Sequence, residues 1–115
     1  MESILQSTKK LLGITSECTD FDVDIITHIN TVFVILWELG VGSSPFNIKS
    51  EEETWFDYLG DQEENLNFIK TYIYAKVRMF FDPPTGGVLT ALEHTISELE
   101  FRINVAVDNG QTASI

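Results

Sequence analysis

Apolar positions recur along the chain at the 3.6-residue period of the α-helix, in five segments bounded by helix start and stop signals. The first spans about 2–12 and carries Ile4, Leu5, Thr8, Leu11 and Leu12 on one face. Lys9 and Lys10 near its end suit the negative pole of a helix, and Gly13 just past it can adopt the left-handed cap conformation. The second spans about 21–39, follows the acidic cluster Asp20, Asp22 and Asp24, and stops at Gly40. Phe21, Ile25, Ile29, Val32 and Leu36 form its main stripe, while Ile26, Phe33, Val34, Ile35 and Trp37 make its second half apolar on nearly every side. Such a helix is either central to a bundle or also meets a neighbouring subunit.

Residues 40–49 (GVGSSPFNIK) form a Gly-, Ser- and Pro-containing connector, long enough to be mobile or to make contacts of its own. Ser50 with Glu53 reads as a capping box that opens a short helix to about Leu59, carrying Trp55, Phe56 and Leu59 and ending at Gly60. After the acidic hinge 61–64, a fourth helix over about 64–81 has Leu66, Ile69, Ile73, Val77 and Phe80 as its core stripe, flanked by Phe68, Tyr72, Tyr74 and Met79. Pro83 and Pro84 stop it. The last helix, about 87–107, spaces Leu89, Leu92, Ile96, Leu99, Ile103 and Ala106 by threes and fours, the seam of an antiparallel helix pair. Phe101, Val105 and Val107 lie outside that seam and hint at a second contact surface. The predicted architecture is all-α: a small bundle of four to five helices with a long central helix, one domain over 1–108, and a polar tail over 109–115 that frays.

With 115 residues, there is room for one core. Eighteen acidic against seven basic residues give a formal charge of −11, which argues against a self-sufficient nucleic-acid binder. A content of 43% hydrophobic and 11% aromatic residues excludes disorder as the main state. The single cysteine, Cys18, excludes an internal disulfide or a multi-Cys metal site, and the chain reads as cytosolic. The N-terminus does not have the pattern of a signal peptide, and the longest apolar run, Val32 to Trp37, is six residues, so no membrane partner is expected.

Candidate chemistry is sparse. Asp20-x-Asp22-x-Asp24 has the opening spacing of a calcium loop, but Ile25 and Thr31 stand where that loop needs Gly and Glu, and carboxylates at the positive pole of a helix explain the cluster. His94 and Glu98 share a helix face without a second histidine in register, and His28 has apolar neighbours that suit the edge of a core. Cys18 has acidic neighbours in Glu17 and Asp20, which disfavour its thiolate. Gly40-Val41-Gly42 follows a helix and not a strand, so it is a helix stop. No enzyme, cofactor or metal is expected. Trp37, Trp55, Phe56, Tyr58, Tyr72, Tyr74, Phe81 and Phe101 exceed what one small core can centre, and the surplus favours an assembly protein.

Several strings carry a resemblance: Lys9-Lys10-Leu11-Leu12-Gly13-Ile14; Asp24-Ile25-Ile26 running on to His28-Ile29-Asn30; Leu39-Gly40-Val41-Gly42; and Thr54-Trp55 with Asp57, Leu59 and Gly60. Tyr72-Ile73-Tyr74 with Lys76 and Val77, Phe81-Asp82-Pro83-Pro84, and Glu98-Leu99-Glu100-Phe101-Arg102-Ile103-Asn104 complete the set. In this order and spacing the chain resembles the small head-tail connector proteins of long-tailed bacteriophages and their prophages. The resemblance implies a ring-forming, all-helical adaptor, also described as a head-completion or DNA-packaging protein. Such a ring is dodecameric in the virion, sits beneath the portal protein once the genome is packaged, and offers a docking surface to the head-closure or stopper protein and then the tail. It implies no catalytic residue and no cofactor, assembly in the bacterial host cytoplasm, and double-stranded DNA passing through the channel without specific binding.

A cyclic ring needs two different contact surfaces on each subunit. Val34 and Trp37 of the second helix, with Tyr72 and Tyr74 of the fourth, are the candidate subunit interface. Phe101, Arg102, Val105 and Val107 are the candidate portal contact, and Glu51, Glu52, Glu53, Asp61, Glu63 and Glu64 the candidate channel-facing acids. The competing reading is an acidic DNA mimic that inhibits a basic host protein.

Overall fold

A computed structural model of the chain describes residues 2–42, 44–62 and 67–108. In chain order these form α1 (Ile4–Leu11), α2 (Asp22–Glu38), α3 (Trp55–Leu59), a 3-10 turn (Gly60–Gln62), α4 (Asn67–Phe81) and α5 (Gly86–Asp108). The all-α expectation holds: among the described residues there is no strand, only one antiparallel bridge between Ser3 and Thr54. The expected acids Glu63 and Glu64, and the tail 109–115, lie outside the described residues.

α4 packs on both α2 and α5. The ring of Phe21, just before α2, stands 5.5 Å from that of Phe81 at the end of α4, so these two helices run antiparallel. At the other end of α2, Gly40 has φ +101 and its backbone closes so tightly on α5 that an added methyl would stand 2.8 Å from Val107 Cγ1. The C-termini of α2 and α5 therefore lie together, and the two helices run in the same direction with α4 reversed between them. The molecule is a flat body of 38 × 35 × 21 Å.

The core is made by Ile25, Ile29, Val32, Phe33 and Leu36 of α2, Ile69, Tyr72, Ile73 and Val77 of α4, and Leu99 and Ile103 of α5. The seam read along the last helix is thus the buried one from Ile96 to Ala106. α4, covered by a helix on each side, buries a wider arc than its stripe predicted, so Tyr72 is interior, while Phe80, expected in the core, is 42% exposed.

The 40–54 connector makes contacts. Asn30, halfway along α2, holds the backbone of Ile48 by two hydrogen bonds: its Nδ2 donates to the Ile48 carbonyl at 3.0 Å, and the Ile48 N–H donates to its Oδ1 at 2.9 Å. Val41 and Ile48 are buried, and Phe46 stacks among Phe33 and Tyr58 with centroids 5.3 and 5.1 Å away. The predicted capping box moves by one turn. Thr54 and Asp57 cap α3 reciprocally, at 3.1 and 2.8 Å. Glu53 instead closes a loop by accepting from the N–H groups of Lys49 at 2.7 Å and Ser50 at 3.2 Å. A helix cannot begin at Ser50 because Glu53 and Thr54 are committed to extended backbone: the Ile4 N–H donates to the Glu53 carbonyl at 3.0 Å, and the Trp55 N–H to the Glu2 carbonyl at 3.1 Å.

α1 is capped by Ser3, whose hydroxyl accepts from the Gln6 N–H at 3.2 Å. Its buried face departs from the apolar pattern: Leu11 is exposed, and Lys9 is 0% exposed. The Lys9 ammonium donates to the carbonyls of Cys18 at 2.7 Å and Ser16 at 3.4 Å and pairs with Asp22 at 2.9 Å. A buried ammonium is tolerable because these oxygens replace its water. Lys9→Ala should lower unfolding stability by about 3 kcal/mol, read from the urea midpoint at unchanged slope, because it strands Asp22 and two carbonyls.

Candidate functional site

The candidate chemical residues do not converge. Among the described residues no group of three or more His, Cys, Asp or Glu could hold a metal ion. His94 is exposed on α5, and Glu98 is committed to Arg102 one turn on, at 3.0 Å. His28 sits at the core edge as expected, its ring 5.7 Å from Phe80 and 6.4 Å from Phe81. Asp22 and Asp24 occupy the first turn of α2, the positive pole that the sequence reading assigned to them. The Lys9 ammonium donates to the backbone carbonyl of Cys18 at 2.7 Å. That contact was invisible in the sequence because it joins α1 to the following loop.

The predicted subunit-interface set divides. Val34 and Trp37 are exposed on the outer side of α2, at 42% and 43%. Tyr72 does not join them. It is buried between α4 and α5, and its hydroxyl donates to Glu100 Oε2 at 2.7 Å. Tyr74 is half-buried at the end of α1, beside Leu11, Leu12 and Gly13, with Arg78 donating to its hydroxyl at 3.4 Å. Tyr72 therefore serves the subunit's own packing and offers no surface, whereas Tyr74 stays partly exposed.

The α5 set also divides. Phe101 is 68% exposed, and Arg102 and Val105 are exposed with it. They edge a groove of about 550 Å³ lined by Phe68 of α4 and by Glu98, Leu99, Phe101, Arg102, Val105 and Ala106 of α5. Val107 is turned inward against Gly40 and belongs to the core rim. Of the acidic candidates, Glu51 accepts from the Gln6 amide and Glu53 holds the loop described above, while Glu52 and Asp61 are exposed.

Burial weighs against ionised Glu53, but the backbone N–H groups of Lys49 and Ser50 and the Ser50 hydroxyl outweigh it, holding this carboxyl below the usual range. Burial pushes the Tyr58 and Tyr72 phenols well above their ordinary value, and at Tyr72 the Glu100 carboxylate adds to the effect.

Pattern-reading missed the exposed face of α2 as a whole. Val23, Thr27 and Thr31 continue the line of Val34 and Trp37 down the helix, and all five are exposed. The Thr27 and Thr31 hydroxyls donate back to the Val23 and Thr27 carbonyls, at 2.9 and 3.0 Å, which satisfies their donors within the helix. A signal was present: from Ile25 to Trp37 the sequence has no charged residue, in a chain where 22% are charged.

The described residues form a small all-helical fold with apolar side chains exposed on α2 and α5. A family model described as phage connector protein matches residues 4–110, and the chain belongs to that family. No curated protein and no solved structure matches it. Family membership gives it a structural head-tail connector role, as a virion component that interacts with other phage head and tail proteins. The family is generally non-enzymatic, and no helix among the described residues is long and apolar enough to cross a membrane.

The two buried phenols set a pH limit. Their native forms keep the proton while the unfolded chain loses it above about pH 10, so stability should fall as pH rises through that point. Phenolate absorbance of the folded protein should lag behind that of the unfolded chain. Tyr72→Phe should remove about 1–2 kcal/mol by denaturant titration, because the Glu100 carboxylate loses its donor.

Proposed function

We propose that copies of this chain form a ring, dodecameric in the virion, beneath the portal protein of the DNA-filled head, and that this ring carries the docking surface for the head-closure protein and the tail. Family membership supports the connector role, and the observation that carries the ring is the charge-free outer side of α2. A chain of net charge −11 repels its own copies wherever carboxylates face each other, yet Val34 and Trp37 are exposed along a helix uncharged from Ile25 to Trp37. Burying the stretch of that face between Asp24 and Glu38, the exposed acids at its two ends, costs no desolvation of charge. The subunits are made in the host cytoplasm and end at the head-tail joint.

Double-stranded DNA passes through such a ring and is not gripped by it. Carboxylates repel phosphate at the distances of a channel wall, and the exposure of Glu51, Glu52 and Asp61 supports assigning them that role. Glu53 is assigned instead to holding the 49–53 loop. The acidic DNA-mimic reading draws no support from the family or from any particular surface of the fold.

The test is the mass of the protein in solution, alone and mixed with its cognate portal protein. A stoichiometric ring on the portal is expected, and a portal that retains no connector would overturn the reading. Within the assembled particle, Glu51→Lys with Glu52→Lys should slow DNA ejection, and unchanged ejection would remove these residues from the channel.

A further inference from the structure

Charge is segregated along this chain. α1 and α4 hold five of the seven basic residues, Lys9, Lys10, Lys70, Lys76 and Arg78, and no acidic one. All eighteen carboxylates lie elsewhere, against only Lys49 and Arg102. The fold then sets the end of α1 beside one edge of α4. Along that edge Lys70, Tyr74 and Arg78 recur at steps of four, partly exposed, over about 12 Å. Leu11, 57% exposed, stands between two hollows. The first, of about 200 Å³, is walled by Lys10 and Lys70, and the second, of about 220 Å³, by Tyr74 and Arg78. One carboxylate edges each of them: Glu2, 3.9 Å from the Lys70 ammonium, and Asp82. Among the described residues no ion pair engages Lys10 or Arg78. Lys9 is instead buried against Asp22, and Lys76 lies over the Phe80 ring at 5.5 Å.

We propose that this cationic face, centred on Lys10, Leu11, Lys70 and Arg78, is covered in the assembled ring by a carboxylate-bearing surface of the next copy of the chain. The proposal rests on the ring reading and deepens it by naming one of the two surfaces that meet. Charge complementarity selects the occupant. Outside α1 and α4 the chain is strongly acidic, so this face of one copy and the acidic remainder of the next attract, whereas acidic surfaces repel one another. Two copies of the cationic face would also repel, which disfavours a two-fold pair and leaves the head-to-tail contact that a closed ring uses. Leu11 adds apolar area for that contact to bury. A DNA backbone is a poorer occupant, because it gains few cations here and meets a net charge of −11 around them.

A zero-length cross-linker tests this, since a carbodiimide joins an ammonium to a carboxylate only where the two touch. Unlabelled and heavy-isotope-labelled chains are mixed in equal amounts, assembled on the cognate portal protein and treated with a water-soluble carbodiimide, and the linked peptides are read by mass spectrometry. Links from Lys10 or Lys70 to a carboxylate of this chain should include pairs of mixed isotope, which only contact between copies can give. Links from these lysines confined to one isotope, as Lys70 with Glu2 would give, or running only to portal peptides, would overturn the proposal. Lys10→Glu with Arg78→Glu, checked for an unchanged urea midpoint, should cut the mixed-isotope links from Lys70 at least tenfold, and an unchanged yield would overturn it as well. If that variant unfolds, the links of the natural chain still decide. Retention of the natural chain on duplex DNA that the double variant loses would assign the face to DNA and overturn the pairing. A ring on the portal without mixed-isotope links from Lys10 or Lys70 overturns the pairing and leaves the ring reading standing, whereas a portal that retains no connector overturns the ring reading and the pairing with it.

Discussion

The Lys9 ammonium, fully enclosed at the end of a helix of eight residues, ties together parts of the chain that have little else in common. A helix this short is not stable alone in water. Its first turn is held by the bridge that joins Ser3 to Thr54, and its last by Lys9 reaching the carbonyls of the 13–21 loop and the carboxylate that begins α2. α1 thus straps the start of α3 to the start of α2. With Trp55 packed beneath it and donating to Ser7 at 2.8 Å, it closes part of the body formed by α2, α4 and α5. Away from α1 and α3, Val34 and Trp37 of α2 and Phe101 and Val105 of α5 stay exposed.

What was legible in the sequence follows from the range of each interaction. Helix existence and order were readable because they depend on periodicity within a few turns, and the seam of α5 was read correctly from Ile96 to Ala106. Tertiary choices were not. Ser50 and Glu53 have the residue types of a capping box and do bond to each other, at 3.2 Å, but the bridge to α1 claims the backbone between them and the helix. Lys9 reads as a solvated cation at a helix end, and only the folded 13–21 loop supplies the oxygens that let it go inside. Tyr72 reads as a surplus aromatic because its partner, Glu100, lies 28 positions away on another helix.

The same limit explains which of the candidate residues are exposed. Val34, Trp37, Phe101 and Val105 were picked as apolar residues outside the stripes, and all four are exposed. Val107 was picked on the same ground and is not available, because Gly40 gives it a close seat that pattern alone does not show. The acids were picked by adjacency, which is weak evidence in a chain with eighteen of them. Their roles differ once backbone partners are known: Glu53 is a loop clamp held ionised by N–H groups, and Glu52 is exposed.

Charge then links the subunit to its assembly. A net charge of −11 keeps free copies apart in dilute solution and strengthens their mutual repulsion as salt falls. The exposed apolar residues do not remove that repulsion, since carboxylates remain around them on each copy. They let contact form only where apolar burial, at roughly 25 cal/mol per Å², exceeds the residual like-charge term. A partner that already holds several copies side by side raises their local concentration and tips this balance without any new contact. On the ring reading proposed above, the same carboxylates would oppose premature assembly and face the passing phosphate backbone, so one charge distribution would serve both to delay assembly and to keep a channel from gripping DNA.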